Sequence, residues 1–319
     1  MLIRAIADLH QLSLSEPVIL YGPYLGEFGH ELMRWQGWVR QRLEADKGTT
    51  IAITRLVNHS LYSTTHVLAV PGELLEGLDC SGDELYKATK EQREAIAAWL
   101  DEVKKYLSDS GIAFIQYPAN YARPDLRQPN YLERQKFARL GIHGLPPSPF
   151  GDRRFFMVYI RTRELAQGKN IPLAEWQKFL AWMAETKRNV MIGGITKHEE
   201  IERTDRCKVL IDLAPTTPEL WLQMNIGYLQ QADGAVISES GTMFLSMLTG
   251  CSTLVFGEAQ YRARTMRENV MHADLDYREM DGLSKVTGEQ MIEVFQSWEA
   301  NARSRPARQG SRGPTHGLF

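Results

Sequence analysis

The sequence predicts an α/β protein made of two doubly wound, Rossmann-like domains. Short apolar strands alternate with helical segments in both halves, which is typical of parallel sheets covered by helices. A stretch rich in Pro and Gly without periodicity, residues 144–154, separates the two halves. The length of 319 residues is enough for two domains of about 150 residues each. We therefore expect one parallel sheet in each half.

The first half begins with a buried strand that leads into a glycine-bearing loop and then a helix. Two further short strands and a long amphipathic helical region follow, before a last strand restores the sheet. The predicted strands cover residues 17–21, 50–55, 66–70 and 111–117, and the predicted helices cover residues 30–44 and 83–107.

The second half alternates more clearly. Proline stands in the first turn of two of its helices, where its missing N–H costs nothing. Another helix ends at Gly250, and the final helix is expected to cross back to the first domain. The predicted strands cover residues 155–161, 190–192, 208–212, 235–237 and 253–256, and three predicted helices cover residues 172–185, 217–230 and 288–302. A fourth helix is predicted after the turn at residues 238–242, with its apolar residues between Phe244 and Leu248 and its stop at Gly250.

Composition and charge limit the class of protein. With 43% hydrophobic and 24% charged residues, the chain is an ordinary globular protein. We expect no membrane span, no signal peptide and a cytoplasmic location, because no apolar run is long enough and the start carries charge. Three widely spaced cysteines predict neither disulfides nor a zinc site. The predicted domains are residues 1–148 and 149–302, followed by a flexible basic tail, residues 303–319.

The segment ADGAVISESGTMFLSMLTGCSTLVFG, residues 232–257, is the most informative in the chain. It is typical of a strand, a polar turn, a helix and a second strand. Such a turn directs backbone N–H groups and the positive end of a helix to the carboxyl edge of a parallel sheet. Ser240, Gly241 and Thr242 are therefore predicted to bind an anion, although the same residues would also suit a simple helix cap.

This segment resembles the nucleotide-sugar-binding segment of heptosyltransferase-like GT-B glycosyltransferases. The segments FMVYIRTRELAQGKNIPLAEWQKFLAWM, NVMIGG, VLIDLAPTTPELWLQM and ISESGTMFLSMLTG reproduce the order of that family's donor domain over about half of the chain. The resemblance implies a GT-B fold with an interdomain cleft and a nucleotide diphosphate sugar as co-substrate, without a further cofactor. It also implies that Lys169, which precedes Pro172 and Trp176, binds the donor phosphates. The remaining residues of the predicted donor site are Arg161, Arg163, Gly193, Glu239, Ser240, Gly241 and Thr242.

The loop GPYLGEFGHELMRW is the candidate for the acceptor side of the reaction. In the resembled family a Gly-Asp pair in the first loop holds the catalytic base, and Gly26-Glu27 stands at the matching place. Glu31 is the rival base, and His30 is predicted to orient the base or the acceptor. The alternative is that both glutamates only stabilise the start of a helix. The predicted acceptor-binding residues are Tyr24, Arg123 and Arg127.

A D-x-D pattern at Asp274 and Asp276 is the metal-binding motif of a different glycosyltransferase class. It follows the last predicted strand instead of lying within a single sheet domain, as that class requires. We therefore predict a reaction without a metal ion.

The acceptor stays open between two classes. The first loop also looks like that of phage-encoded glycosyltransferases, some of which modify hydroxymethylated pyrimidines in DNA, and would then act in the host cytoplasm. Nine Lys or Arg against three acidic residues between residues 121 and 163, together with the basic tail, suit DNA. A lipopolysaccharide or other glycan acceptor is the alternative. A non-catalytic sugar-nucleotide-binding module is a third function class, and the oligomeric state is not predicted.

Overall fold

The computed structural model of the chain describes residues 1–78, 88–119, 144–162, 167–194, 198–213, 217–259 and 275–304. The chain divides into two compact units, whose described parts are residues 1–119 and residues 144–304. Residues 144–148, which we assigned to the first domain from the sequence, belong to the second unit. There the carbonyls of Pro146 and Pro147 accept hydrogen bonds from Gln231 and Tyr228.

The described part of the first unit contains a five-stranded sheet in the order β1-β4-β3-β2-β5, with every neighbouring pair parallel. Strands β3 and β4 extend on one side of β2, whereas β5 lies on the other, so the strand order reverses between β2 and β5. The strands are β1 (Leu2–Ile3), β2 (Val18–Tyr24), β3 (Thr49–Thr54), β4 (His66–Ala69) and β5 (Phe114–Tyr117). The helices are α1 (Phe28–His30), α2 (Gln36–Leu43) and α3 (Lys90–Asp109).

Helix α3 covers one face of this sheet. It begins at a reciprocal cap, in which the Gln92 N–H donates to the Thr89 hydroxyl and the Thr89 N–H donates to the Gln92 side chain. Its apolar residues recur every three or four positions, so that Ile96, Trp99 and Val103 are buried against the strands. This amphipathic pattern is what the sequence analysis detected.

The helix after β2 is interrupted, which the sequence analysis did not predict. A π-helical turn, Glu31–Trp35, separates α1 from α2, and the Gln36 N–H donates to the Glu31 carbonyl five residues earlier. Such turns add one residue to a helix and are frequent at functional sites. This one places Glu31 at its first position.

The described part of the second unit contains a six-stranded parallel sheet in the order β11-β10-β9-β6-β7-β8. The chain runs from β6 outward to β8, then returns to β9 on the other side of β6, so the order reverses between β6 and β9. The strands are β6 (Phe155–Tyr159), β7 (Asn189–Ile192), β8 (Cys207–Val209), β9 (Gly234–Ser238), β10 (Thr253–Gly257) and β11 (Leu275–Glu279). The helices are α4 (Leu173–Glu185), α5 (Leu210–Leu213), α6 (Pro218–Gln231), α7 (Thr242–Thr249) and α8 (Gly288–Ser304).

Two expectations for the second half need correction. The strand predicted over residues 208–212 ends at Val209, and the short helix α5 begins at Leu210. Strand β11 was not predicted, because only Tyr277 of its five residues is buried and the others are polar or half-buried. Helix α8 packs Met291, Phe295 and Trp298 into the core of the second unit. Helix α7 ends as predicted at Gly250, which adopts the left-handed conformation with φ of 74°.

Within the ranges that the structure describes, no helix is long and apolar enough to cross a membrane.

Candidate functional site

The carboxyl ends of β6 and β9 lie side by side, because the two strands are hydrogen-bonded neighbours in a parallel sheet. They also flank the point where the strand order of the second unit reverses. In open α/β sheets, ligands bind outside the carboxyl ends of the strands at such a point. Strand β6 continues toward Arg161 and the turn Gln167–Lys169, and β9 continues into Glu239 and α7. The segments of the predicted donor site therefore share one edge of this sheet.

Lys169 and Glu239 meet at this edge, although 70 positions separate them in the chain. The Lys169 ammonium lies 3.3 Å from Oε1 of Glu239. The Glu239 side chain is buried and the Lys169 side chain is mostly buried. Solvent screens a pair in this setting less than it screens a surface pair. The pair therefore places the Lys169 ammonium next to Glu239, three positions before the first residue of α7.

The second carboxylate oxygen of Glu239 has two further partners. The phenol of Tyr277 donates to Oε2, and the Glu258 N–H donates to the same oxygen at 3.2 Å. Burial raises the pKa of Tyr277 above its ordinary value, and the bond to Glu239 raises this pKa further. The phenol is thus protonated at every physiological pH and acts as a permanent donor. Tyr277 was missed in the sequence analysis, and it lies in the strand that was missed as well.

The turn Ser240-Gly241-Thr242 forms the start of α7. Gly241 stands at the N-cap position and has no side chain that could cap the helix, and the Ser240 hydroxyl lies 2.7 Å from the Thr242 hydroxyl. The N–H groups of Met243 and Phe244 donate to the carbonyls of Ser240 and Gly241 at 3.2 and 3.1 Å. The start of a helix also carries a partial positive charge. The anion-binding role of this turn stays a prediction.

Two residues of the predicted donor site have other visible roles. The guanidinium of Arg161 donates to Asn170, the neighbour of Lys169, and so holds the turn Gln167–Lys169 against β6. The Gly193 N–H donates to the Val158 carbonyl at 2.9 Å and is not directed at a ligand. A side chain at position 193 would lie 2.5 Å from the ring of Tyr159, so that close packing requires glycine there.

In the first unit, Glu27 occupies the loop after β2 and is the N-cap residue of α1. Its backbone carbonyl accepts bonds from the Glu31 N–H at 2.9 Å and from the Tyr24 phenol at 3.1 Å. Its side chain is 41% exposed, and Oε2 lies 3.8 Å from Nδ1 of His30. The backbone is therefore fixed while the carboxylate is accessible and adjacent to an imidazole. This arrangement suits a general base with a neighbouring orienting group.

Tyr24 does not have the position expected of an acceptor-binding residue. It is buried, stacks on Trp35 with a centroid distance of 5.8 Å, and directs its phenol at the Glu27 carbonyl. Burial leaves the ring no face for a ligand. We correct its role to that of a support for the Glu27 loop.

Glu31 is completely buried, with an exposed fraction of 0%. Its carboxylate accepts bonds from Thr54 at 2.9 Å, from Asn58 at 2.7 Å and from the Tyr62 phenol. Burial raises the pKa of Glu31 to about 7, while the three bonds and the charge of Arg55 act in the opposite direction. A group enclosed in this way has no access to an acceptor. The contacts of Glu31 are those of an anchor that ties the π-helical turn to β3 and to the turn that follows β3, and they do not favour its role as rival base.

The raised pKa of Glu31 predicts a pH-dependent stability. The folded state holds this proton up to about pH 7, whereas the unfolded chain releases it near its ordinary value. The stabilisation is thus complete below the unfolded pKa and is lost as the pH rises through the folded pKa, by roughly 3 kcal/mol. Glu31→Gln removes the titration, so the stability difference between wild type and variant should shrink from pH 5 to pH 8. Amide hydrogen exchange in peptides from residues 18–61, measured at several pH values, checks this. A difference that does not change with pH would contradict it.

Several predicted residues lie outside the described part of the chain. These are Arg163 of the donor set, Arg123 and Arg127 of the acceptor set, Asp274 and most of the basic tail. The second aspartate of the D-x-D pattern, Asp276, lies in β11 and accepts a bond from Arg278 at 2.9 Å, which occupies one of its oxygens. Among the described residues, no group of three or more His, Cys, Asp or Glu side chains could hold a metal ion.

No protein-family model matches this chain, and no curated protein sequence is significantly similar to it. Solved structures with a similar fold include a glycosyltransferase family 9 protein from Veillonella parvula, with a TM-score of 0.59 and 11% identity over 91% of this chain and 99% of that one. E. coli ADP-heptose lipopolysaccharide heptosyltransferase II has a TM-score of 0.56 and 11% identity over 90% and 99% of the two chains. E. coli heptosyltransferase WaaC, solved with ADP-2-deoxy-2-fluoro heptose, has a TM-score of 0.51 and 11% identity over 88% and 99%.

All three similar proteins are glycosyltransferases, and each is covered almost completely. At this level of identity the likeness concerns the fold. The two parallel-sheet α/β units predicted from the sequence are confirmed, and the chain has the fold of the heptosyltransferase-like GT-B glycosyltransferases.

Proposed function

We propose that this protein transfers a sugar from a nucleotide diphosphate sugar to an acceptor hydroxyl, with inversion at the anomeric carbon. The observation that carries the proposal is the buried Lys169–Glu239 pair beside the start of α7, at the strand-order reversal of the second unit. A cation held beside helix N–H groups is suited to a diphosphate.

On the donor side, the leaving group is a nucleoside diphosphate. As the bond between the anomeric carbon and the phosphate oxygen breaks, both electrons pass to that oxygen and negative charge develops there. The Lys169 ammonium, which donates to Glu239, would contact the phosphate oxygens of the diphosphate as a fixed positive charge. Together with the positive end of α7, it would stabilise the developing charge.

On the acceptor side, Glu27 would take the proton of the acceptor hydroxyl while the acceptor oxygen forms its bond to the anomeric carbon. A carboxylate is suited to this step when it is accessible and its backbone is fixed, as it is here. His30, whose Nδ1 lies 3.8 Å from the carboxylate, would orient Glu27 or the acceptor.

For the acceptor we propose a glycan. Two of the structures with a similar fold are heptosyltransferases, and one of them is named for lipopolysaccharide. The basic residues that suit a DNA acceptor lie mostly outside the described part of the chain, so that no described contact favours DNA. DNA remains the alternative acceptor, and the experiment must distinguish it from a glycan.

The test is a binding screen followed by a transfer assay. Thermal shift and calorimetry with ADP, UDP, GDP and CDP should identify one nucleoside diphosphate that binds the wild type. The matching nucleotide sugars are then offered with lipopolysaccharide core oligosaccharide and, separately, with DNA containing 5-hydroxymethylcytosine or 5-hydroxymethyluracil. Mass spectrometry should detect a gain of one sugar on the oligosaccharide.

The outcomes separate the three function classes. A sugar gained by the modified nucleoside, with falling DNA affinity as salt rises, would replace the glycan by DNA as the acceptor. Binding of a diphosphate without transfer or hydrolysis of any donor would identify a non-catalytic module. If the wild type binds none of the four diphosphates, the proposed function is wrong.

A further inference from the structure

Tyr277 stands next to the candidate donor site without belonging to any segment that the sequence singled out. It lies in the edge strand β11 and is the buried residue of that strand. Its phenol reaches Glu239, which follows β9, so it spans β10 to contact the carboxylate. The donor–acceptor pair is separated by 38 positions in the chain.

The hydrogen bonds of Glu239 link the Tyr277 phenol to the Lys169 ammonium. The Tyr277 phenol has a single proton, and the charged Oε2 of Glu239 is a closer acceptor than the Glu258 carbonyl, which lies 3.1 Å from the phenol oxygen. The Glu258 N–H donates to the same Oε2. The two donors on Oε2 restrain rotation of the carboxylate, and Oε1 lies 3.3 Å from the Lys169 ammonium.

Gly257, at the end of β10, leaves the room for this phenol. A side chain on residue 257 would overlap the phenol oxygen and the ring of Tyr277. Residue 257 is therefore glycine because any larger residue would block the path of the Tyr277 phenol to Glu239.

We infer that Tyr277 is a positioning residue for the donor diphosphate: through Glu239 it fixes the direction and place of the Lys169 ammonium. This inference rests on the proposed function, because it assigns Tyr277 a role in binding the same co-substrate. Tyr277 does not itself contact the diphosphate. Since the phenol is neutral, it adds no charge that would repel or attract the ligand directly.

The test is a double-mutant cycle read by calorimetry with whichever of ADP, UDP, GDP and CDP binds the wild type most tightly. Tyr277→Phe keeps the ring in the core and removes only the hydroxyl, so it should weaken binding roughly five- to tenfold. In the Lys169→Met background, where no ammonium remains to be positioned, the same change should have no further effect. Affinity for the matching nucleoside without phosphates should be unchanged in both backgrounds.

Tyr228→Phe is the matched control, because it also removes a phenol hydroxyl from the second unit. Its hydroxyl bonds to the Pro147 carbonyl, away from Lys169 and Glu239, and its affinity for the diphosphate should equal that of the wild type. Gly257→Ala is a second variant that keeps every hydrogen-bonding group but displaces the phenol. It should reproduce the loss of affinity, with thermal unfolding as the check that both variants fold.

The outcomes distinguish this inference from the proposed function. If Lys169→Met weakens binding but Tyr277→Phe does not, or if the two effects simply add, the role of Tyr277 is wrong while the proposed function stands. An equal loss of affinity for the unphosphorylated nucleoside would likewise show a general packing role. If the wild type binds none of the four diphosphates, the proposed function and the role of Tyr277 fail together.

Discussion

Glu27→Gln is expected to lower turnover about 10²- to 10⁴-fold and to leave the affinity for the nucleoside diphosphate unchanged. Glutamine keeps the size and the hydrogen-bonding capacity of the side chain, but it cannot accept the proton of the acceptor hydroxyl. Because the Glu27 backbone is held by the Glu31 N–H and the Tyr24 phenol, the substitution should not move the loop. Steady-state transfer rates at saturating donor and acceptor, together with calorimetry, measure the two quantities.

Glu94→Gln is the control for this variant, since Glu94 is an exposed glutamate of α3 and should tolerate the change without loss of rate. A Glu27→Gln enzyme with nearly wild-type turnover would remove Glu27 from the mechanism. If Glu31→Gln were inactive in the same assay while remaining folded, the base would be Glu31, and its complete burial would have to be relieved during the reaction.

Lys169→Met should weaken binding of the nucleoside diphosphate by about 1.5–3 kcal/mol, which is roughly 10- to 150-fold in Kd. Methionine keeps most of the aliphatic length and removes the charge. The loss should be larger for the diphosphate than for the unphosphorylated nucleoside, because the ammonium is proposed to contact phosphate oxygens. Calorimetry with both ligands separates these contributions.

Lys178→Met provides the matched lysine control. Lys178 also pairs with a glutamate, Glu175, at 3.0 Å, but it lies on an exposed face of α4. Its replacement should leave the Kd unchanged. Unaltered diphosphate affinity in Lys169→Met would exclude Lys169 from the donor site, and an equal loss in both lysine variants would indicate a general effect of net charge.

The parts of the fold that depend on local patterns were predictable from the sequence. Buried strands such as Thr49–Thr54 are rich in β-branched residues, and Gly250 ends its helix at the expected residue. The contact between Lys169 and Glu239 could also be predicted from the sequence, because both residues follow strands of one parallel sheet. The resemblance to a known family placed both of them in the donor site.

What the sequence could not predict depends on contacts between distant segments. Glu31 is enclosed by side chains at the end of β3 and after it, 23 to 31 positions later in the chain, and no local sequence pattern reports them. Tyr277 belongs to an edge strand in which it is the buried residue and three of the other four residues are charged, so the segment has no apolar run that would indicate a strand. Tyr24 was assigned to the acceptor because a tyrosine in a glycine-bearing loop gives no indication that its ring stacks on Trp35.

The π-helical turn Glu31–Trp35 has a consequence for how this chain must be aligned with others. A π turn contains one residue more than the α-helical turn it replaces. In a chain without that residue the helix would still form, but the residues beyond the turn would be rotated by about 100° relative to those before it. An alignment without a gap would then pair Glu27 with its true counterpart in the other chain but pair Trp38 with a residue one position away. If Trp38 were paired correctly, Glu27 would be displaced by one position instead. Alignment with a chain that lacks the extra residue therefore requires a one-residue gap between Glu31 and Gln36.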